Sequence, residues 1–362
     1  MKKEILLLSD TKAGHQNQGR ALIKELVTVI VTSGIDTEPG IRKIQLKFKS
    51  RFSEKLFAFL SPLIYFFTYK NIPFLNNFIS EETIKDIKEI RPDIIISVGS
   101  STIPLALLLS KIYKSKKISL MNPPFPFNLF HFDLIIVPQH DRTICGKNVL
   151  STILALSPFD NELIQKETAN LKRQLKRPER IGIGILIGGD AKKYLFNRKN
   201  MNVALDEIIK ACRILDIDFI ATTCRRTPVD YENELKVKLD KMDCCAFFVP
   251  ANKESATNLV SGLIGLCKIM IATEESVSMI SEPINAGKRI VILKLGKKIY
   301  YKYARFHKLL FKNRLAHVVS FDNLSDKLVE IYRNQSFNLD GEQKQLLEEE
   351  RKLLRERLKN LL

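Results

Sequence analysis

The sequence predicts an α/β protein built from two doubly wound domains that face each other across a cleft. Short runs of branched apolar residues recur along the 362-residue chain without polar alternation, as is typical of parallel strands covered on both faces. Helical patterns separate these runs. A second series of strands and helices begins after a charged stretch near residue 160, which predicts two Rossmann-like domains in succession.

The N-terminal domain is predicted over 1–157, with a helix at 16–31 and strands at 5–8, 41–48, 93–98 and 133–137. A charged linker helix is predicted over 158–180. The C-terminal domain is predicted over 181–338, with a helix at 203–215 and strands at 181–189, 219–223, 246–249, 269–273 and 290–293. The tail, 339–362, is predicted to be an amphipathic helix.

The amino-acid composition and net charge limit the classes of protein to which the chain can belong. With 45% hydrophobic and 27% charged residues the chain is globular rather than disordered. Its formal net charge of +18 predicts an acidic partner, which would be nucleic acid, anionic lipid or a phosphorylated substrate. Nucleic acid is disfavoured because no RNA- or DNA-binding signature is present. No run of 18 apolar residues exists and the apolar stretch at the start is too short for a signal peptide, so we expect a cytoplasmic protein. The basic and aromatic segment described below leads us to expect that it is peripheral at the inner face of the cell membrane.

The six cysteines contain no CxxC pair and no histidine at metal-ligand spacing. We therefore expect buried, reduced cysteines and no metal or other bound cofactor.

The loop after the first strand is dense in polar groups. Gly14 permits a close approach of the backbone to a ligand, and His15 would stand at a helix N-terminus, which favours a neutral imidazole that can act as a base. His15 and Asp10 are the catalytic candidates, and Lys12, Gly14 and Gln18 the substrate-binding ones. A loop that only caps the helix is an equal alternative.

Two further loops of the first domain follow strands and are candidates for binding an acceptor. Gly99 and Ser100 follow the strand at 93–98, and His140 follows the strand at 133–137. For His140 a buried structural role is the favoured alternative.

The corresponding loop of the second domain contains Gly188 and Gly189. Two glycines after a buried strand can present backbone N–H groups to a phosphate, with Lys192 or Lys193 adding charge. A simple tight turn is the alternative.

Two adjacent arginines, Arg225 and Arg226, follow the strand at 219–223 and precede a helix that begins with proline. This pair suits a diphosphate or a carboxylate. Solvated surface arginines are the alternative.

The stretch TEESVSMISE (273–282) joins a strand to a helix. The helix start formed by Ser276, Val277 and Ser278 could receive a phosphate. Glu275 and Glu282 are seven residues apart and would share one helix face, where a carboxylate could hold the two hydroxyls of a ribose. A capped helix with an acidic first turn is the alternative.

Segment 41–80 combines seven Lys or Arg residues with one acid, Glu54, and ten aromatic residues. Such a composition suits an interfacial membrane surface. Buried core helices remain the alternative for about half of the aromatic residues.

Four motifs in this order, DTKAGHQNQ, LIGGDAKKY, TTCRRTP and TEESVSMISE followed by AGK, resemble the mitochondrial-fission Elm family, over about residues 5–317. The resemblance implies a GT-B glycosyltransferase-like fold, similar to that of the enzyme that adds N-acetylglucosamine to the lipid-linked peptidoglycan precursor. It implies that Gly188 and Gly189 line the diphosphate of a nucleotide-sugar and that Glu282 holds its ribose. The glycine-rich first loop of that enzyme is replaced here by DTKAGH, with one glycine.

The implied function is a metal-independent glycosyltransferase. It would move a sugar from a nucleotide-sugar donor to a cell-envelope glycolipid or lipid-linked acceptor at the inner membrane face. The alternative is a non-catalytic, membrane-associated adaptor of the same fold, akin to the organelle-fission role of plant relatives.

Overall fold

The structure is a computed structural model that describes residues 2–34, 38–67, 73–141, 146–158, 160–191, 194–253, 258–296 and 300–362. It contains two compact units, residues 1–158 with 348–362 and residues 159–347. Several residues named in or implied by the sequence predictions lie outside the described residues: Tyr69, Lys70, Cys145, Lys192 and Lys193.

The first unit is built on a six-stranded parallel sheet. Its strands are β1 Glu4–Ser9, β2 Gly40–Gln45, β3 Ile94–Val98, β4 Lys116–Ser119, β5 Leu134–Pro138 and β6 Val149–Thr152. Its helices are α1 Ala13–Thr32, α2 Arg51–Phe67, α3 Glu81–Lys88 and α4 Ile103–Tyr113. The sheet order is β2-β1-β3-β4-β5-β6. Strand β3 is buried along its whole length, as expected of a central strand covered on both faces.

The second unit is built on another six-stranded parallel sheet. Its strands are β7 Ile181–Leu186, β8 Asp218–Thr222, β9 Cys245–Val249, β10 Ile269–Thr273, β11 Ile290–Lys294 and β12 Ala316–Ser320. Its helices are α5 Asn161–Gln174, α6 Arg198–Leu215, α7 Val229–Leu239, α8 Leu259–Leu266, α9 Val277–Asn285, α10 Tyr301–Lys312 and α11 Leu324–Arg333. The sheet order is β12-β11-β10-β7-β8-β9.

Each sheet has one point where the strand order reverses direction. In the first unit the chain winds outward from β1 on one side and from β3 on the other. In the second unit the reversal lies between β7 and β10. Ligands of doubly wound sheets bind outside the carboxyl ends of the strands at such a point. The loops after β1, β3, β7 and β10 are therefore the places to look for a site.

Two boundaries differ from the sequence prediction. Helix α5, in the predicted linker, belongs to the second unit and packs on α8. Contact is close, because a Cβ built on Gly265 would lie 2.0 Å from Thr168 Oγ1. The terminal helix α12, Gly341–Lys359, ends in the first unit, where Leu354 and Leu358 are buried in the core formed by β1, β3 and α1.

The α/β class and the two parallel sheets are confirmed, and three strands were missed. These are β4, β6 and β12, whose sequences KKIS, VLST and AHVVS carry polar residues among few apolar ones. Lys116 at the start of β4 is exposed, and β6 and β12 are edge strands, so a continuous apolar run is not required there.

Candidate functional site

The loop between β1 and α1 holds an aspartate–histidine pair. His15 Nδ1 lies 2.9 Å from each carboxylate oxygen of Asp10. The Asp10 carboxylate also accepts the backbone N–H of Lys12 at 3.0 Å, and Lys12 Nζ lies 3.6 Å from it. The loop is thereby tied to one carboxylate at the carboxyl end of β1.

The charge of Asp10 determines which nitrogen of the neutral His15 imidazole carries the hydrogen. Burial acts to raise the pKa of the Asp10 carboxyl, but the hydrogen bond and charge of His15, with smaller help from Lys12, hold it below its ordinary 3.8. An ionised carboxylate can only accept, so Nδ1 of His15 carries the hydrogen and Nε2 of the neutral ring has a lone pair. No described residue hydrogen-bonds Nε2. The pair is arranged as a base with its orienting group.

Gly99 follows β3 and packs against this pair. Its φ is +101°, and a Cβ built on it would lie 2.7 Å from Asp10 Oδ2 and 3.2 Å from His15 Nδ1. Only glycine fits this conformation and this space. The structure therefore brings together three predicted site residues, Asp10, His15 and Gly99, where the strand order reverses. The neighbouring Ser100 is exposed.

The other predicted residues of the first unit are less closely associated. Gly14 and Gln18 lie in the first two turns of α1 and are half-buried, and the Lys12 side chain is exposed. His140, after β5, is 3% exposed.

In the second unit the two glycines after β7 meet the end of β10. Gly188 N donates to Thr273 Oγ1 at 2.8 Å, and Gly189 N donates to Glu275 Oε1 at 2.9 Å. A Cβ built on Gly188 would lie 1.6 Å from Glu275 Oε1. Both glycine amides are thus bonded within the protein, across the point where this sheet reverses its order.

The arginine loop after β8 completes this arrangement. Thr227 Oγ1 donates to the Gly188 carbonyl at 2.7 Å, and a Cβ on Gly189 would lie 2.2 Å from the Arg226 carbonyl oxygen. Arg226 Nη2 lies 3.5 Å from Glu275 Oε1, with 38% of the arginine side chain exposed. Arg225 is exposed and makes no hydrogen bond or ion pair with any described residue. Arg226 is therefore partly held by the Glu275 carboxylate, and Arg225 is exposed to solvent.

The expectation that Glu275 and Glu282 share a helix face is wrong. Helix α9 begins at Val277, and its N-cap Ser276 has extended backbone with φ −105° and ψ 91°. Glu275 therefore precedes the helix and turns toward Gly189, whereas Glu282 lies within α9 and is half-buried. The Ser276 side chain makes no capping hydrogen bond, which leaves the first amides of α9 without that partner.

A buried polar cluster beside this loop was not predicted. Glu274 Oε1 accepts from Tyr194 Oη at 3.1 Å and from Leu295 N at 2.9 Å. The Glu274 carbonyl is 2.8 Å from His307 Nε2, and since a carbonyl only accepts, Nε2 is the donor. The second carboxylate oxygens of both Glu274 and Glu275 are buried without a hydrogen-bond partner among the described residues.

Burial sets the ionisation of this cluster. It raises the pKa of the Glu274 and Glu275 carboxyls and of the Tyr194 hydroxyl. It lowers the pKa of His307 to about 4, so this ring is neutral at pH 7. Tyr194, Glu274 and Glu275 lie in the quoted motifs and His307 lies outside them, and nothing in the sequence indicates that the four residues meet. Their meeting depends on the sheet order, which brings β7 and β10 together.

Comparison with known proteins identifies the family. The model of the family described as mitochondrial fission ELM1 matches residues 13–340. The chain belongs to this family. An uncharacterized protein of Rickettsia prowazekii is 25% identical, over 72% of this chain and 80% of that protein. The family resemblance seen in the four motifs is confirmed.

Solved structures show what fold this ELM1-family chain has. HepE of Anabaena, in complex with UDP-glucose, matches 98% of each chain with a TM-score of 0.57 and 11% identity. The UDP-GlcNAc 2-epimerase of Neisseria meningitidis, bound to UDP-GlcNAc, matches 95% of this chain and 98% of that one with a TM-score of 0.53 and 13% identity. At such identities the likeness is one of fold alone: the fold is that of GT-B glycosyltransferases and related epimerases.

Proposed function

We propose that this ELM1-family chain is a GT-B-type glycosyltransferase that uses a nucleotide-sugar donor. Its acceptor would be a glycolipid or lipid-linked precursor of the cell envelope, at the inner face of the membrane. The observation that carries the proposal is the Asp10–His15 pair at the reversal point of the first sheet, with Nε2 not hydrogen-bonded to any described residue. UDP-sugars bound to other proteins of this fold support a uridine nucleotide as the donor.

His15 acts as the general base in this proposal. Its Nε2 takes the proton from the acceptor hydroxyl as that oxygen bonds to the anomeric carbon of the donor sugar. The bond from that carbon to the diphosphate oxygen breaks through an oxocarbenium-like transition state, and the nucleoside diphosphate leaves with the electron pair. Asp10 is a positioning residue, because it fixes the tautomer of His15 and stabilises the imidazolium that forms.

The second unit supplies the donor site. The exposed guanidinium of Arg225, and that of Arg226 after release from Glu275, would neutralise the leaving diphosphate. The start of α9, with Ser276, Val277 and Ser278, would receive a phosphate. Glu282 would hold the ribose hydroxyls. The amides of Gly188 and Gly189 already donate hydrogen bonds within the protein. In this proposal the two glycines therefore pack against the diphosphate and do not donate hydrogen bonds to it.

Nucleotide binding tests the donor site. The thermal unfolding midpoint is measured with UDP-, GDP-, CMP- and dTDP-sugars and with the free nucleotides. A ligand at about 100 times its Kd adds about 2.7 kcal/mol of stability. We expect a selective shift with UDP compounds that is lost in Glu282→Ala. Glu234→Ala, an exposed acid on α7, is the matched control and keeps the shift.

Release of UDP tests the catalytic pair. With a donor that stabilises the protein and a membrane-lipid extract as acceptor source, His15→Ala should lower the rate about 100- to 10,000-fold while the donor-induced shift remains. Asp10→Asn should also lower the rate, because an amide can donate to Nδ1 and select the other tautomer. UDP release by His15→Ala at the rate of the parent would refute the assignment of His15 as base.

A non-catalytic adaptor is the second candidate, and one observation favours it. The Gly188 and Gly189 amides, which would otherwise bind a diphosphate, donate to Thr273 and Glu275 instead. A chain that had lost donor binding could keep such a closed loop for stability. No shift across the nucleotide panel, combined with unchanged membrane binding by His15→Ala, would favour the adaptor.

A further inference from the structure

Helix α2 presents a row of large apolar side chains to solvent. Phe52, Phe59, Leu63 and Phe66 are 73%, 76%, 59% and 68% exposed. They are seven, four and three residues apart, so they lie on one face of the helix. Phe57, which points to the opposite side, is fully buried in the core between α2 and the sheet. The sequence left open whether the aromatic residues of segment 41–80 form a membrane surface or lie in the core. Helix α2 contains both kinds, since Phe57 is buried and Phe59 is exposed.

A turn beside α2 adds to this row. The Phe130 ring is 4.8 Å from Tyr65 and 5.9 Å from Phe66, which places the turn that contains Phe130 against the end of α2. Phe125 and Leu129 of the same turn are 78% and 73% exposed. The apolar patch is thus defined by six residues: Phe52, Phe59, Leu63, Phe66, Phe125 and Leu129. Soluble proteins rarely leave such a cluster uncovered, so it marks a surface of interaction.

The charges around the patch indicate what covers it. Between residues 41 and 67 the chain has six Lys or Arg residues and one acid, Glu54, and two of the six, Arg42 and Lys47, are paired with Glu89 and Glu82. Lys49, Arg51 and Lys55 are exposed; Arg51 and Lys55 lie on α2, and Lys49 lies just before it. A second copy of the chain would bring two such basic rims together, which is repulsive. An anionic membrane offers an apolar interior for the exposed apolar side chains and negatively charged headgroups for the basic residues around them.

We propose that the apolar patch inserts into the interface of a membrane that contains anionic lipid, with Lys49, Arg51 and Lys55 at the headgroups. Among the described residues no helix is long and apolar enough to cross a membrane. Attachment therefore occurs from one side, through the outer face of α2 and the turn at Phe125 and Leu129. The inference deepens the proposed function by naming the surface that would bring the enzyme to a lipid-borne acceptor, and it rests on that function only for this purpose.

Vesicle binding tests the apolar part of the surface. The full chain is sedimented with vesicles of phosphatidylcholine containing about 30% phosphatidylglycerol, and with phosphatidylcholine alone. We expect binding to the anionic vesicles and a loss on the order of 100-fold in Phe59→Ser with Phe66→Ser, because two inserted rings are removed. The matched control is Leu195→Ser with Val237→Ser, two exposed apolar residues of the second unit at 87% and 60%, and it should bind like the parent.

The basic rim is tested in the same assay. Lys49→Gln with Lys55→Gln should weaken binding about 10-fold or more and reduce its dependence on salt. Lys236→Gln with Lys241→Gln, exposed lysines of the second unit, is the control for net charge. All variants should keep the thermal midpoint of the parent, because the substituted side chains are exposed.

Three results would overturn the proposal. These are absence of binding to anionic vesicles by the parent, binding by the double phenylalanine variant equal to that of the parent, and concentration-dependent dimers in ultracentrifugation that the phenylalanine substitutions abolish, which would show that a second copy covers the patch. Failure of the proposed function is distinguishable, because nucleotide-induced stabilisation is measured without vesicles. The patch variants should retain it.

Discussion

Glu350 is a half-buried acid whose ionisation should weaken the docking of α12. Its carboxylate accepts the backbone N–H of Ile153, and no cation among the described residues offsets the effect of burial on its pKa. Burial raises the pKa of Glu350 from 4.5 to about 7. Because the folded protein holds this proton more tightly than the unfolded chain, the contribution of Glu350 to stability is complete below pH 4.5 and is lost progressively up to about pH 7. The gap between these two pKa values corresponds to about 3 kcal/mol above pH 7.

The substitution Glu350→Gln removes the ionisation and keeps an oxygen that can accept from Ile153. Hydrogen exchange of peptides covering 348–359 reports the opening of this part of α12, and it is measured at about pH 5 and about pH 8. We expect the variant to be protected by up to about 3 kcal/mol more than the parent at the higher pH, with a much smaller difference at the lower one.

Glu356→Gln provides the matched control, since Glu356 is exposed on the same helix. It changes charge and helix propensity in the same way without touching the buried position. Equal protection of the Glu350→Gln variant and the parent at both pH values would refute the reasoning, because Glu350 would then ionise without cost. A gain of the same size in Glu356→Gln would trace the effect to net charge.

Three further predictions concern stability. Phe57→Ala should cost about 3–5 kcal/mol in urea unfolding, whereas Phe59→Ala should be nearly neutral, since the two rings are 0% and 76% exposed. Gly189→Ala should lower the thermal midpoint and displace the arginine loop, because its Cβ would lie 2.2 Å from a backbone oxygen, whereas Gly341→Ala meets no atom within 4 Å and serves as control. Leu354→Ala should cost about 2–5 kcal/mol and speed hydrogen exchange in the last turns of α12.

The fold could be predicted from the sequence where burial is uniform. Strands such as β3 and β7 are buried along their length, so their residues form uninterrupted apolar runs. Strands that need not be apolar along their whole length were missed. An example is β6, which is only partly buried at the edge of its sheet. The start of α1 was placed three residues late, because Ala13, Gly14 and His15 carry no capping pattern and Lys12 makes no side-chain cap.

The position of the candidate site residues in loops after strands could be predicted from the sequence, whereas most of their contacts could not. The polar loops do follow strands in the structure, where ligands of doubly wound sheets bind. The engagement of Gly189 by Glu275 was not, because it requires β10 to lie beside β7, a neighbour 85 or more residues away in sequence. Glu275 was interpreted as part of a helix because the spacing to Glu282 fits two turns, but an extended Ser276 separates the two.

In the proposed function, the single glycine of the first loop favours different roles for the two units: proton removal in the first and binding of the diphosphate in the second. A glycine-rich loop would leave backbone amides free for a phosphate, but here the Lys12 amide is bonded to Asp10 and the room beside the pair comes from Gly99 in the next loop of the sheet. What this loop offers a substrate is the lone pair of a histidine, which suits removal of a proton and not the binding of an anion. In the proposed function, recognition of a diphosphate then falls to the second unit, where Arg225 is exposed and the Ser276 side chain does not cap the first turn of α9. Loss of nucleotide binding in Arg225→Ala together with its survival in His15→Ala would be the pattern this division requires.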